Sequence, residues 1–231
     1  MKVVIESLIE GARRAHGTVV VIDVLRAFTT ASVVFQRGAD RIVMVAEVEE
    51  ALTLRDRGAA DICIGEVDGH KPDGFDYGNS PHELAAADLS GKVIAQSTRA
   101  GTTGVVAAAA TGVQRLFAGA LVNAVATATV VATSRPERVT LVAMGALGAT
   151  RSDEDEQCAL YIKNLLQGRR PNPVAVQGLV AAGGESEKYH NPTQDQYHPE
   201  DLEMALRIDS VDFAIEIERR DGLLVARPVE S

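Results

Sequence analysis

Residues Thr18 to Thr30 read TVVVIDVLRAFTT. Thr18 to Ile22 are β-branched throughout, the pattern of a strand buried on both faces. The strand runs directly into Asp23 and Arg26, and then into a helical pattern that stops near Gly38. In a parallel α/β sheet, the carboxyl ends of the strands are where ligands bind, so Asp23 and Arg26 become functional candidates by position. A plainer alternative stands beside this one: Asp23 caps the helix and Arg26 answers it as a surface ion pair.

The chain has 231 residues, 46% of them hydrophobic and 24% charged, which describes an ordinary globular protein with a substantial core. A net charge of −9, with 4% aromatics and no Trp, argues against a nucleic-acid surface. No apolar run approaches the roughly 20 residues of a membrane span. The opening MKVVIESLIEG places acids where a signal peptide would be apolar, so the expected location is the cytoplasm. Cys63 and Cys158 stand far apart and form neither a CxxC site nor a disulfide framework.

Outward from the Thr18 strand, apolar runs alternate with amphipathic ones. Expected strands are Val3–Ile9, Arg41–Val45, Ile62–Ile64, Val93–Ala95, Leu116–Ala118 and Val139–Met144. Expected helices are Ala27–Arg37, Glu47–Arg57, Pro81–Ala87, Val105–Thr111, Asn123–Thr133 and Asp153–Gln167. This alternation predicts a layered α/β fold, a mostly parallel sheet flanked by helices. One domain spanning residues 1–231 is expected, with a division into two lobes, if any, near 120–138. Ser80 followed by Glu83 is a capping box for the Pro81 helix. Beyond Arg170 the pattern loosens into a polar stretch, a short helix at Asp201–Ile208, and a β-hairpin of Phe213–Glu218 and Leu223–Arg227. That hairpin is expected to extend a sheet edge or form an interface.

The strand exits carry, in order, Asp23 with Arg26, Glu66, Ser97 with Arg99, and Arg151 with Asp153 to Asp155. Acids alternating with arginines at one rim suit a divalent cation together with an anionic substrate, carboxylates binding Mg²⁺ and arginines holding phosphate. The loop Ser97-Thr98-Arg99-Ala100-Gly101-Thr102, at a strand-to-helix junction, suits anion capture by backbone amides. The acids after Ser152 also suit a helix N-terminus on dipole grounds alone. The long loop 65–82 is dense in Gly, Asp and Asn, as functional loops often are. No G-x-x-x-x-G-K-[ST], G-x-G-x-x-G or G-x-S-x-G occurs, so ordinary nucleotide loops and the serine-hydrolase elbow are excluded.

Together, Asp23-Val-Leu-Arg26-Ala27, Gly65-Glu66, Gly74-Phe-Asp-Tyr-Gly-Asn79-Ser-Pro81, the Ser97 to Thr102 loop and Glu154-Asp155-Glu156-Gln-Cys158-Ala159 resemble, in this order, the 2-phosphosulfolactate phosphatases. The resemblance implies an α/β fold and a Mg²⁺-dependent phosphatase acting on phosphate esters of 2-hydroxycarboxylic acids. The named case is 2-phospho-3-sulfolactate to 3-sulfolactate in coenzyme M biosynthesis. It implies catalytic roles for Asp23, Arg26, Glu66 and Arg99, and substrate contacts from Arg26, Asn79, Ser97, Thr98, Arg99, Gly101 and Thr102. The implied metal ligands are Asp23, Glu66, Glu154 and Asp155. Many relatives carry T-T-N-G-T where this chain has Arg99 in its loop, so the acid accepted can differ. The expected partner is a small phosphorylated 2-hydroxy acid, with no nucleic acid or membrane and with self-association possible. A non-catalytic binder of a small phosphorylated or carboxylated metabolite is the competing class.

Overall fold

A computed structural model describes residues 1–231. The Thr18 stretch forms β2 (Thr18–Ile22), and all five of its residues are buried. Val19 and Val21 enter one hydrophobic cluster, Val20 and Ile22 another on the opposite face, as a doubly covered strand requires. The other strands are β1 (Lys2–Ser7), β3 (Arg41–Val45), β4 (Ile62–Gly65), β5 (Val93–Ser97), β6 (Arg115–Gly119), β7 (Arg138–Ala143), β8 (Phe213–Arg220) and β9 (Leu223–Glu230). They form one nine-stranded sheet in the order β1-β7-β2-β6-β8-β9-β3-β5-β4. Five pairings are parallel and three antiparallel, so the sheet is mostly parallel, as the alternating sequence predicts.

The C-terminal hairpin does not lie at an edge. β8 pairs with β6 and β9 pairs with β3, which puts the hairpin at the middle of the sheet. Its turn is Asp221-Gly222, both at positive φ (50° and 84°), the two-residue geometry that fits strand twist. The expectation of an edge strand came from chain position. Burial decides otherwise: Ala214, Ile215 and Ala226 are fully enclosed, and Arg115 forks onto Glu216 at 2.7 and 2.8 Å.

The central hairpin changes how the strand exits meet. Followed along the hydrogen bonds, β3-β5-β4 runs opposite to β1-β7-β2-β6. Neighbouring strands rotate by roughly 20–25° each, and more in two-stranded ribbons. Over the succession β2-β6-β8-β9-β3-β5 this twist turns the second block back toward the first. Gln96 on β5 accordingly donates from Nε2 to the Ala27 carbonyl just past β2, at 3.0 Å.

Helices cover both faces. α1 (Leu8–Arg14), α2 (Ala27–Gln36), α4 (Pro81–Ala85) and α5 (Gly101–Ala109) share one side, and α6 (Ala124–Thr133), α7 (Asp153–Leu166) and α8 (Pro173–Ala181) the other. α3 (Val48–Asp56) packs over β3, β4 and β5, and α9 (Pro199–Ala205) closes against α4. Gly38, at φ 86°, ends α2 where expected. α1 and α8 were not anticipated. α1 begins inside the run read as a strand to Ile9, and Gly11 lets it press on Glu6, whose Cβ would lie 2.9 Å from a side chain there. No helix is long and apolar enough to cross a membrane.

If the hairpin joins the two halves of the sheet, truncating its core should unfold the molecule as a whole. Ile215→Ala is expected to cost about 2–5 kcal/mol. Urea unfolding should shift as one transition by fluorescence and by circular dichroism. Loss confined to a local, subglobal step would mean that the hairpin is peripheral.

Candidate active site at the converging strand exits

The exits of β2, β4, β5 and β7 open into one cavity of about 510 Å³. Asp23, Arg26, Glu66, Asn79, Arg99, Glu154 and Asp155 all line it. Six acids face it (Asp23, Glu66, Asp68, Glu154, Asp155, Glu185) against three cations (Arg26, Arg99, Lys188).

The acids differ in what occupies their oxygens. Asp155 accepts the Val24 amide on Oδ1 and the Gly145 amide on Oδ2, both at 2.8 Å, and so clamps the exits of β2 and β7 together. Glu66 accepts the Gly69 and Arg99 amides, one on each oxygen and both at 2.8 Å, tying the β4 and β5 exits. Asp23 takes only the Ala27 amide, on Oδ1 at 3.1 Å, and Glu154 only the Ser152 hydroxyl, on Oε1 at 2.7 Å. Asp23 Oδ2 and Glu154 Oε2 therefore remain without hydrogen-bond partners. Burial, with the neighbouring charges of Glu66 and Glu154, pushes Asp23 up to about 7 against the Ala27 amide. Burial likewise raises Glu154, and raises Asp155 with help from Glu154 and Asp23.

Buried carboxylates this close together disfavour one another's charge, and a nearby positive charge would favour it. No three acids, cysteines or histidines lie close enough to cage an ion by themselves. Mg²⁺ does not need such a cage, since it keeps several waters and takes one or two carboxylates. The free oxygens of Asp23 and Glu154 fit that demand, with Glu66 and Asp155 fixed behind them by backbone amides.

Arg26 is less available than its position suggested. Its Nη1 donates to Asp201 Oδ2 at 2.7 Å and to the Gln196 carbonyl at 2.9 Å, and Nη2 reaches the Gly69 carbonyl at 3.4 Å. The ion pair is buried, with side-chain exposures of 3% and 0%, so the surface pair between Arg26 and Asp23 is not formed. Asp201 Oδ1 also accepts the Ser80 hydroxyl and the His82 amide, which anchors the start of α4. Arg99 is exposed, and its side chain has no partner within the protein.

The loop hydroxyls turn inward. Ser97 donates to the Ala46 carbonyl, while Thr98 and Thr102 bond each other and their backbones. None of the three lines the cavity, which meets the loop at Arg99 and Ala100. Gly101 is a close-approach residue: a Cβ there would stand 2.6 Å from Ala27 Cβ and 2.9 Å from Asp23 Oδ2. Arg151, placed at the rim by its strand exit, instead bonds Glu156 at 2.8 Å and lies outside the cavity. Lys188, Gln194, Tyr197 and Asp201 escaped the sequence reading, because the polar stretch after Gly183 has no periodicity to place them.

Two substitutions should separate clamp from ligand. Asp155→Asn aims an N–H₂ at a backbone N–H, so it is expected to destabilise by about 1–3 kcal/mol in urea. Asp23→Asn keeps an acceptor for Ala27 and removes a desolvated charge, so the chelator-treated protein should not lose stability. The same shift sets a pH dependence. Between about pH 4 and pH 7 native Asp23 holds a proton that the unfolded chain has released, so metal-free stability falls as pH rises through that window. Asp23→Asn should flatten the slope of thermal midpoint against pH; an unchanged slope would place the titration elsewhere.

The sequence comparisons agree with this geometry. The family model described as 2-phosphosulpholactate phosphatase matches residues 3–220. A Thermoplasma acidophilum protein named a probable 2-phosphosulfolactate phosphatase is 32% identical over 90% of this chain and 89% of its own length. A Bacillus subtilis protein of the same name is 32% identical over 88% and 87% of the two chains. A third so named, from Thermus thermophilus, is 36% identical over 64% of this chain and 61% of its own. A match that takes in the strand exits at the cavity and the first strand of the central hairpin leaves one conclusion: the chain belongs to the 2-phosphosulpholactate phosphatase family.

Proposed function

We propose that this protein is a Mg²⁺-dependent phosphatase of 2-hydroxycarboxylic acid phosphate esters, with 2-phospho-3-sulfolactate hydrolysed to 3-sulfolactate and phosphate. The observation that carries the reading is the cavity itself: two buried acids, Asp23 and Glu154, each keep an unbonded oxygen, opposite an unpaired Arg99. Family membership and the names of the relatives favour the phosphosulfolactate ester.

In this reading Asp23 Oδ2 and Glu154 Oε2 hold the ion, and Mg²⁺ supplies charge stabilisation on the phosphoryl oxygens. Arg99, exposed in the loop that opens α5, neutralises a phosphoryl oxygen. Hydrolysis forms a bond from a water oxygen to phosphorus and breaks the bond to the ester oxygen. The proton lost by the water ends on the hydroxyl of the released 2-hydroxy acid. Asn79, buried with Oδ1 unpartnered, offers the substrate or a bound water an acceptor on the cavity wall.

Phosphate release from 2-phospho-3-sulfolactate and 2-phospholactate is expected with Mg²⁺, to be abolished by EDTA and restored by Mg²⁺. Asp23→Asn should lower turnover at least about tenfold, roughly 1.4 kcal/mol. Tight binding of these esters with no phosphate released, Mg²⁺ present or absent, would instead identify a metabolite-binding protein.

A further inference from the structure

A 2-phospho-hydroxy acid brings a second anionic group besides its phosphate, and the sulfonated ester brings a third. The cavity offers three cations, of which Arg26 is committed to Asp201 and two carbonyls. Arg99 stands exposed and unpaired in the loop that opens α5, where a guanidinium suits a phosphate. Without a further cation, the only charged groups left to face the acid end of the substrate would be carboxylates.

Lys188 stands on a different wall, in the short 3-10 turn Gly184–His190. Its ammonium lies 4.7 Å from the centre of the Tyr197 ring, and the Arg26 guanidinium lies 4.8 Å from the same ring. Tyr197 therefore fixes both cations, and it is itself pressed against Gly69, where a Cβ would run into its hydroxyl. The one acid bonded to Lys188 is Glu185, at 2.7 Å, three residues away and partly exposed. Pairs of that kind are weak, so a substrate acid can displace Glu185. Nearby in sequence, Gln194 lines the cavity with a buried Oε1 that has no partner. Turning its amide over would present N–H₂ to an acid oxygen at no steric cost.

Resting on the phosphatase reading above, we propose that Lys188, seated on Tyr197 and assisted by Gln194, is the subsite for the substrate's acid group, a carboxylate or sulfonate remote from the phosphate. Lys188 is then a specificity residue, and the turn at 184–190 decides which phosphate esters are accepted.

Three esters resolve the subsite. Isopropyl phosphate carries no acid group, 2-phospholactate puts a carboxylate on the same carbon frame, and 2-phospho-3-sulfolactate adds a sulfonate. Lys188→Met is expected to lower kcat/KM on an acid-bearing ester about tenfold more than on isopropyl phosphate, chiefly through KM, with Lys188→Arg recovering most of the loss. A selective loss that first appears with 2-phospholactate assigns the carboxylate, and one that appears only with the sulfonated ester assigns the sulfonate. Equal losses on all three esters would overturn the subsite. Calorimetric binding of 3-sulfolactate to wild type and Lys188→Met gives a readout without turnover. If no ester is hydrolysed by wild type, the phosphatase reading fails, and this binding comparison alone decides the subsite: weaker binding in Lys188→Met supports it and equal binding overturns it.

Discussion

The antiparallel ladder β6-β8-β9-β3 is the constraint on which the architecture depends. On either side of it lie parallel blocks whose strands alternate with helices in the ordinary way. Neither block pairs with the other directly; residues Phe213 to Glu230 supply the strand pairing that joins them. Two extra strands reverse the direction of the second block, and the twist they add turns it round again. A parallel sheet would deliver the exits of β2 and β5 to one rim by direction alone. Here they meet because a wide, twisted sheet brings them together, with Gln96 and Ala27 marking the join.

The chemistry of the site follows from that meeting. Acids from separate strand exits are carried into one buried volume, and each feels the others through a medium that screens poorly. Backbone amides satisfy Glu66 and Asp155 on both oxygens, so these two work as struts between loops. Asp23 and Glu154 are satisfied on one side only. The raised pKa of Asp23 is the energetic trace of that imbalance, a desolvated acid among acids. The proposed Mg²⁺ would relieve it and make room for an anionic substrate that the acids alone would repel.

Much of this was legible in order along the chain, because it rests on local signals. β-branched runs gave the central strands, glycine stops gave the ends of α2 and α7, and Ser80 with Glu83 gave the cap of α4, where the Glu83 amide does donate to the Ser80 hydroxyl at 3.2 Å. Asp23, Glu66, Arg99, Glu154 and Asp155 were found because position at a strand exit is itself a local property. What failed was non-local. Whether Arg26 forks a phosphate or pairs with a carboxylate depends on Asp201, 175 residues away. Arg151 followed the strand-exit rule and then turned to Glu156 in the helix that follows it, a partner equally available in the sequence. The hydroxyls of Ser97, Thr98 and Thr102 have the composition of an anion loop, yet their hydrogen bonds are spent shaping it. The hairpin read correctly as a hairpin, but no local signal says which strands will receive it.

The residues missed are concentrated in the last fifth of the chain, and this has a physical consequence. Lys188, Gln194 and Tyr197 line the cavity, Asp201 holds Arg26 from behind, and β8 and β9 join the two halves of the sheet. Asp201 alone joins α9 to the start of α4 and to Arg26 beside the first buried strand. A chain that has formed only its β-α repeats has two unjoined parallel blocks, a buried-type arginine without its carboxylate, and an open acid cluster. The same region of the chain thus supplies groups to both the core and the cavity. Its conformation answers both to what it covers, Gly69 and Arg26, and to its own turns, where Asn191 Oδ1 accepts the Thr193 amide at 3.0 Å.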